Sequence, residues 1–249
     1  MSMELWTSPT PNGWKITIMI EELREAGVAL PEIELKVVDL FNRDQFTDAF
    51  TAVSPNQKIP GLRDGDKTLM ESCAILLYLA EKFPSSLLPQ DESRWEVIQW
   101  LFWQAANLGP NFGNKLSYTR YMDDVPAEQK AHPLQRFNNE AQRLLTVLNK
   151  QLEGKSYICG EHFTIADIAS YPWVRGWKWS KIDITGHSNV VDWVERVRAR
   201  PGVERGLTWD FSRDEVDKWS DETRQRYRSG GASIASNDSI ADSTKSLSS

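Results

Sequence analysis

The sequence predicts two unlike domains: an α/β domain of order β-α-β-α-β-β-α over residues 1–84 and an all-α domain over residues 92–228. Three observations predict this division. Short alternating or β-branched apolar runs occur before residue 90, apolar residues after it recur at spacings of three and four, and the intervening FPSSLLPQD is rich in proline and serine. That stretch places a linker at residues 85–91. Charge divides in the same way, since the first 90 residues are net acidic and residues 91–228 balance.

Residues 3–6 form a short apolar run ended by Ser8-Pro9, and residues 33–38 alternate with β-branched side chains. Between them Ile16, Met19, Ile20 and Leu23 recur at helical spacing until Gly27, which makes a βαβ unit. A further helical stretch is expected from about residue 44 to 52. Two strands follow, at Gly61-Leu62-Arg63 and at residues 67–70, joined by the hairpin signal Asp64-Gly65-Asp66. Ser72 reads as the N-cap of a helix that carries Ile75, Leu76, Leu79 and Phe83 and stops at Pro84. Beyond the linker, Phe137, Ala141, Leu144, Leu145, Leu148 and Leu152 mark one face of a helix. Thr164-Ile165-Ala166-Asp167 is a capping box, which predicts a buried helix running through Trp173 and Trp177. Residues 229–249 are serine-rich without an aromatic side chain and are expected to form a flexible tail.

Composition bounds the chemistry. The 249 residues carry a formal charge of −6, with a pI near 5.3, so there is no electrostatic footprint for nucleic acid or an anionic membrane. Three dispersed histidines and two cysteines lack metal-site spacing, and no metal is expected. Cys73 and Cys159 make no disulfide framework and fit a reducing compartment; with neither a signal sequence nor a long apolar run at the start, the cytoplasm is the expected location. Eleven tryptophans, mostly beyond residue 90, predict an aromatic core for the helical domain.

Three motifs narrow the function. Thr10-Pro11-Asn12-Gly13 stands where the first strand meets the first helix, Ser54-Pro55-Asn56-Gln57-Lys58-Ile59-Pro60 precedes the third strand, and Glu71-Ser72-Cys73-Ala74-Ile75 opens the third helix. Together with Thr164 to Asp167 and Arg200-Pro201-Gly202-Val203, these resemble the glutathione transferases over residues 3 to about 210. SPTPNGWKI and QWLFWQAANLGP are most similar to the bacterial nu class and to the fungal (Ure-type) relatives of the yeast nitrogen-catabolite regulator. The resemblance implies a thioredoxin-like first domain, a helical second domain and a two-fold homodimer.

It also implies a site for glutathione, a tripeptide with two carboxylates, an ammonium and a thiol. A cis bond between Ile59 and Pro60 would expose the Ile59 backbone for strand-like pairing with the cysteinyl residue. Glu71 would receive the γ-glutamyl ammonium, and Ser72, at a helix N-terminus, the α-carboxylate. Gln45 and Lys58 would hold the glycine end, and Arg136 would reach a carboxylate. The first turn offers no tyrosine or cysteine to the sulfur, so the implied catalytic residues are Thr10 and Asn12, whose hydroxyl and amide can donate to a thiolate, with Ser8 as runner-up. With no protein thiol in the turn, the implied reaction is disulfide reduction by bound glutathione, with weak conjugation to electrophiles. Asn111, Phe112, Tyr118 and Tyr121 are the expected walls of the second-substrate pocket. Cys73 is expected to pack, and Trp100, Trp103, Trp173 and Trp177 to fill the core. The alternative is a non-enzymatic regulator of the nitrogen-regulator type, whose Asn/Gln-rich extension has no counterpart in this sequence.

Overall fold

A computed structural model of the chain describes residues 2–211. Residues 212–228 of the expected helical domain and the whole serine-rich segment lie outside the described residues.

The first domain is a thioredoxin-like β-α-β-α-β-β-α unit. Its sheet has the order β2-β1-β3-β4, with β1 (Met3–Thr7) central and parallel to β2 (Ile33–Val37). On its other side β1 runs antiparallel to β3 (Gly61–Asp64), which pairs with β4 (Lys67–Met70). Alternation on β1 sends Met3, Leu5 and Thr7 inward. The helix α1 (Pro11–Glu25) crosses between β1 and β2, and the single-turn α2 (Asp48–Thr51) precedes β3. The helix α3 (Ser72–Lys82) packs on α1 and ends before Pro84. The stretch expected as a helix over residues 44–52 is split into a 3₁₀ turn (Asp44–Phe46) and α2, because Thr47 is extended there and caps α2 by accepting the Phe50 N–H.

The second domain is helical, and among the described residues after residue 90 only an isolated bridge between Tyr157 and Gly160 is strand-like. It comprises α4 (Arg94–Trp103), a π-helical turn (Gln104–Leu108), α5 (Gly109–Arg120), α6 (Ala127–Gln151), α7 (Ile165–Val174), α8 (Trp177–Ser180), α9 (Ser188–Arg198) and α10 (Pro201–Leu207). On α6 the predicted apolar face is buried from Ala141 onward, with Phe137 half-buried. The capping box forms as expected: Thr164 accepts the Ala166 N–H and Asp167 accepts the Thr164 N–H. The helix it starts ends at Val174, short of Trp177, which opens α8 after Gly176.

Helix α1 joins the two parts. It is buried on nearly every side from Lys15 to Leu23, because the sheet and α3 cover one face and α7 and α10 the other. Thr17 donates to the Gly206 carbonyl at 2.5 Å, Arg200 pairs with the buried Glu22 at 2.6 Å, and Arg205 pairs with Glu21 at 3.0 Å. The tryptophan expectation holds in part, since Trp100 lies in the core and Trp103, Trp173 and Trp177 pack half-buried against it. Among the described residues only Trp100 and Trp193 are buried, whereas Trp95 and Trp179 are 65% and 45% exposed. Aliphatic side chains of α6, α7 and α9 dominate the helical core instead. No helix among the described residues is long and apolar enough to cross a membrane.

Candidate active site

The site begins with the helix start that the sequence announces. Thr10 is the N-cap of α1, extended at φ −128°, and its Oγ1 accepts the Gly13 N–H at 3.3 Å, with Pro11 at the first helical position. Gly13 is sterically required, since a Cβ there would stand 2.1 Å from the Ser8 carbonyl oxygen and 2.5 Å from Thr7 Oγ1. The close approach brings the first turn of α1 against the end of β1. There Thr10 and Asn12 face a cleft of about 350 Å³, together with Leu40, Gln45, Asn56, Gln57, Lys58, Ile59, Glu71 and Ser72. The cleft thus gathers Thr10, Asn12, Lys58, Ile59, Glu71 and Ser72 from the three separated motifs, and Gln45 from the 3₁₀ turn between the first two. The Ile59–Pro60 bond is cis.

Backbone strain marks the same place. Among the described residues four non-glycine residues have positive φ, and two of them, Gln57 (56°) and Glu71 (69°), line the cleft. Glu71 takes the N-cap position of α3 in place of Ser72, which is the first helical residue. The left-handed backbone at Glu71 aligns its carboxylate with the cleft, where it accepts from Asn56 Nδ2 at 3.3 Å. Ser72 is buried, and its Oγ accepts from Lys15 Nζ at 3.1 Å. Gln45 is 5% exposed, and its Oε1 finds no protein partner. A buried acceptor without a donor at the cleft wall fits a ligand that brings an amide or ammonium N–H.

Asn12 has a partner that the sequence did not reveal. Trp173 Nε1 donates to Asn12 Oδ1 at 3.0 Å across the two domains. An indole can only donate, so the Asn12 oxygen is the atom that faces Trp173 and the NH₂ group is left for the cleft. Two glycines admit the ring: a Cβ at Gly113 would lie 3.2 Å from Trp173 Cη2, and one at Gly109 would lie 3.5 Å from Nε1. Trp173, expected to be core packing, is therefore half-buried and holds a site residue. The readable signal was the i, i+4 pair of glycines in LGPNFGN.

Thr10 also lines a second cavity of about 300 Å³, walled by Pro9, Trp14, Tyr121, Trp173, Arg175 and Trp179 among others. Arg175 lies over the Trp14 ring at 5.1 Å and Arg120 over the Trp179 ring at 4.3 Å. Of the four residues expected here, Tyr121 is in the wall. Phe112 is fully buried in the core, Asn111 turns its amide back to the Asn107 carbonyl at 2.8 Å, and Tyr118 stacks on Phe137 at 5.8 Å. Periodicity identified the helix and not the face it presents. Ser8 donates to the Val38 carbonyl, just past the end of β2, and is 5% exposed, so its hydroxyl proton is committed there. Arg136 is exposed on α6, outside the cleft wall.

The two cysteines are free and line neither cavity. Burial raises the Cys73 thiol above its ordinary range, and burial together with Asp167 pushes Cys159 up to about 12. Among the described residues no group of acidic, histidine and cysteine side chains could hold a metal ion.

Residues 1–81 match the model of the glutathione S-transferase N-terminal domain and residues 108–201 that of its C-terminal domain. The chain belongs to the glutathione S-transferase family. It is 39% identical over 212 residues to the disulfide-bond oxidoreductase YfcG of Escherichia coli, covering 82% of this chain and 94% of that protein. A glutathione transferase family member from Pseudomonas fluorescens, solved with two glutathiones bound, superposes with a TM-score of 0.75 at 40% identity, covering 82% and 92% of the two chains. A glutathione transferase from Pseudomonas putida, solved with one glutathione disulfide per subunit, gives 0.74 at 36% identity, covering 83% and 91%. As members of one family the three proteins share both domains with this chain.

Proposed function

We propose that this transferase is a glutathione-dependent thiol:disulfide oxidoreductase that uses no cysteine of its own. The observation that carries this reading is the fixed orientation of Asn12, whose NH₂ must face the cleft because Trp173 occupies its oxygen. The Thr10 hydroxyl, accepting from Gly13, keeps its own proton to donate. Two donors lining one cleft favour the thiolate of a glutathione bound there, whose thiol would otherwise ionise near 8.5. That thiolate attacks one sulfur of a disulfide RSSR, forming a glutathione mixed disulfide and releasing RS⁻, which takes up a proton. A second glutathione thiolate then attacks the mixed disulfide, yielding oxidised glutathione and the second thiol. Two glutathiones thus supply both electrons.

In this reading Glu71 holds the γ-glutamyl ammonium, Ser72 and the α3 N-terminus its carboxylate, Ile59 the cysteinyl backbone, and Gln45 and Lys58 the glycine end. The aromatic second cavity, reached past Thr10, takes the disulfide or, more slowly, an electrophile for conjugation. The two free thiols suit a cytoplasmic setting. Trp95 and Phe102, seven residues apart on α4 and 65% and 66% exposed, are the surface on which two copies pair, and light scattering at twice 28.5 kDa checks this.

The deciding experiment measures reduction of 2-hydroxyethyl disulfide by glutathione beside conjugation of 1-chloro-2,4-dinitrobenzene. The first rate is expected to exceed the second by at least about a hundredfold, a difference near 3 kcal/mol in barrier. Failure to bind either reduced or oxidised glutathione at millimolar concentration would sink the reading.

A further inference from the structure

Lys15 lies on the second turn of α1 and is 2% exposed. Its ammonium meets Gln104 Oε1 at 2.7 Å, Ser72 Oγ at 3.1 Å and Cys73 Sγ at 4.0 Å. None of the three brings a negative charge. Cys73 lies 3.2 Å from Gln104 Oε1, to which its S–H donates, and burial holds it as a thiol. Among the described residues no carboxylate oxygen lies within ion-pair distance of the Lys15 ammonium; the acidic group it feels is Glu71, at the N-cap of α3. A buried ammonium with neutral ligands alone is costly to a fold. Consistently, burial lowers the Lys15 pKa despite the attraction of Glu71.

The position of this charge explains why the fold keeps it. Ser72 separates the ammonium from the cleft: its Oγ accepts from Lys15 on one side and the residue lines the cleft on the other. The orphaned Gln45 Oε1 in the same wall is independent evidence that a ligand completes this cleft. We propose that Lys15 is a positioning residue, the buried counter-charge of the ligand's γ-glutamyl carboxylate, acting through Ser72 without touching the ligand. This rests on the glutathione reading of the cleft. Without ligand the lysine is uncompensated; with it, cation and anion face each other across one hydroxyl. The π-helical turn at Gln104 matters in the same way, since it brings a second-domain carbonyl oxygen onto the lysine.

The test uses two probes without an ionising thiol: S-methylglutathione and its counterpart lacking the γ-glutamyl carboxylate. Lys15→Met is expected to weaken S-methylglutathione binding roughly ten- to a hundredfold and to leave binding of the decarboxylated probe unchanged. Ser72→Ala should show the same selectivity, and the double variant should bind no worse than either single one. Equal losses for both probes, or none, would overturn the proposal. Should Lys15→Met fail to fold, calorimetry on the unaltered protein between about pH 7 and pH 10 in buffers of unlike ionisation enthalpy decides. Uptake of protons with S-methylglutathione and not with the decarboxylated probe supports the role, and its absence overturns it. If the unaltered protein binds neither probe, the glutathione reading itself has failed.

Discussion

An indole N–H has no way to accept, and an asparagine amide offers an acceptor on one side and donors on the other; the pairing of Trp173 with Asn12 therefore sets the polarity of the cleft. Asn12→Asp keeps the size and the acceptor for Trp173 but replaces the donor with a negative charge. It is expected to lower kcat/KM for disulfide reduction by at least about a hundredfold, in the range of losing one donor to a developing charge. Trp173→Phe should cost about tenfold, by releasing the amide to rotate, and the loss should shrink as pH rises and glutathione ionises unaided. A pH–rate profile of both variants checks this; a pH-independent loss in Trp173→Phe would mean that the indole only shapes the cavity. The residues of this turn were legible because TPNG combines a capping threonine, a proline at the first helical position and a glycine. The partner 161 positions away was not. Local pattern says which residues begin a helix and nothing about which distant donor fixes a side-chain amide. The same gap explains Ser8, whose neighbour Val38 lies 30 positions away, just after β2.

Among the elements, α7 shows how a local signal can carry a tertiary task. Asp167 completes the capping box at Thr164 and, fully buried, also accepts the Ile158 N–H at 3.0 Å and Trp193 Nε1–H at 2.8 Å. The box was readable from TIAD, while the additional donors come from a preceding loop and from α9. Burial pushes the carboxyl up to about 6 against the pull of its donors. The folded state thus holds this proton where the unfolded chain, near 3.9, has lost it, so this group's contribution to stability falls as pH rises from about 4 to about 6 and is flat above. Asp167→Asn puts an NH₂ against the Thr164 N–H and is expected to cost about 2–4 kcal/mol at pH 7. The gap between the two proteins should widen on going down to about pH 4.5, as urea denaturation at the two pH values measures. A gap that narrows would show that the carboxylate, and not the acid, is favoured in the fold. Other helix ends were misplaced for a related reason. Ser72 has the composition of an N-cap, yet the cap is Glu71, in a left-handed conformation that its side chain alone does not favour and the cleft accounts for.

At the scale of the whole molecule, the cleft depends on α1 being held between the sheet and the helical domain. Its sequence spacing predicted one apolar face; the second buried face, with Thr17, Ile18, Glu21 and Glu22, is defined by α10 and was not legible, because the partners that bury its polar members, Gly206, Arg200 and Arg205, lie far along the chain. The closest approach is at Gly206, where a Cβ would lie 2.5 Å from Ile18 Cα and 2.6 Å from its nitrogen. Those are backbone atoms that cannot move aside, so a side chain at 206 must part the two helices. Parting them also lengthens the Thr17 hydrogen bond to the Gly206 carbonyl and the Arg200–Glu22 ion pair, leaving a carboxylate of 2% side-chain exposure without its partner. Gly206→Ala is therefore expected to cost about 3 kcal/mol and to lower Tm by roughly 6–12 °C. Gly186→Ala, where a Cβ meets nothing within 4 Å, serves as control and should stay within about 0.5 kcal/mol. Because α1 also carries Asn12, whose indole partner sits on α7, the same loosening should weaken glutathione binding while the cleft residues themselves are intact. Differential scanning calorimetry with and without glutathione separates the outcomes. A lower Tm with undiminished ligand stabilisation would mean that α10 supports the fold without positioning the site, and an unchanged Tm would mean that the two helices are not energetically coupled at Gly206.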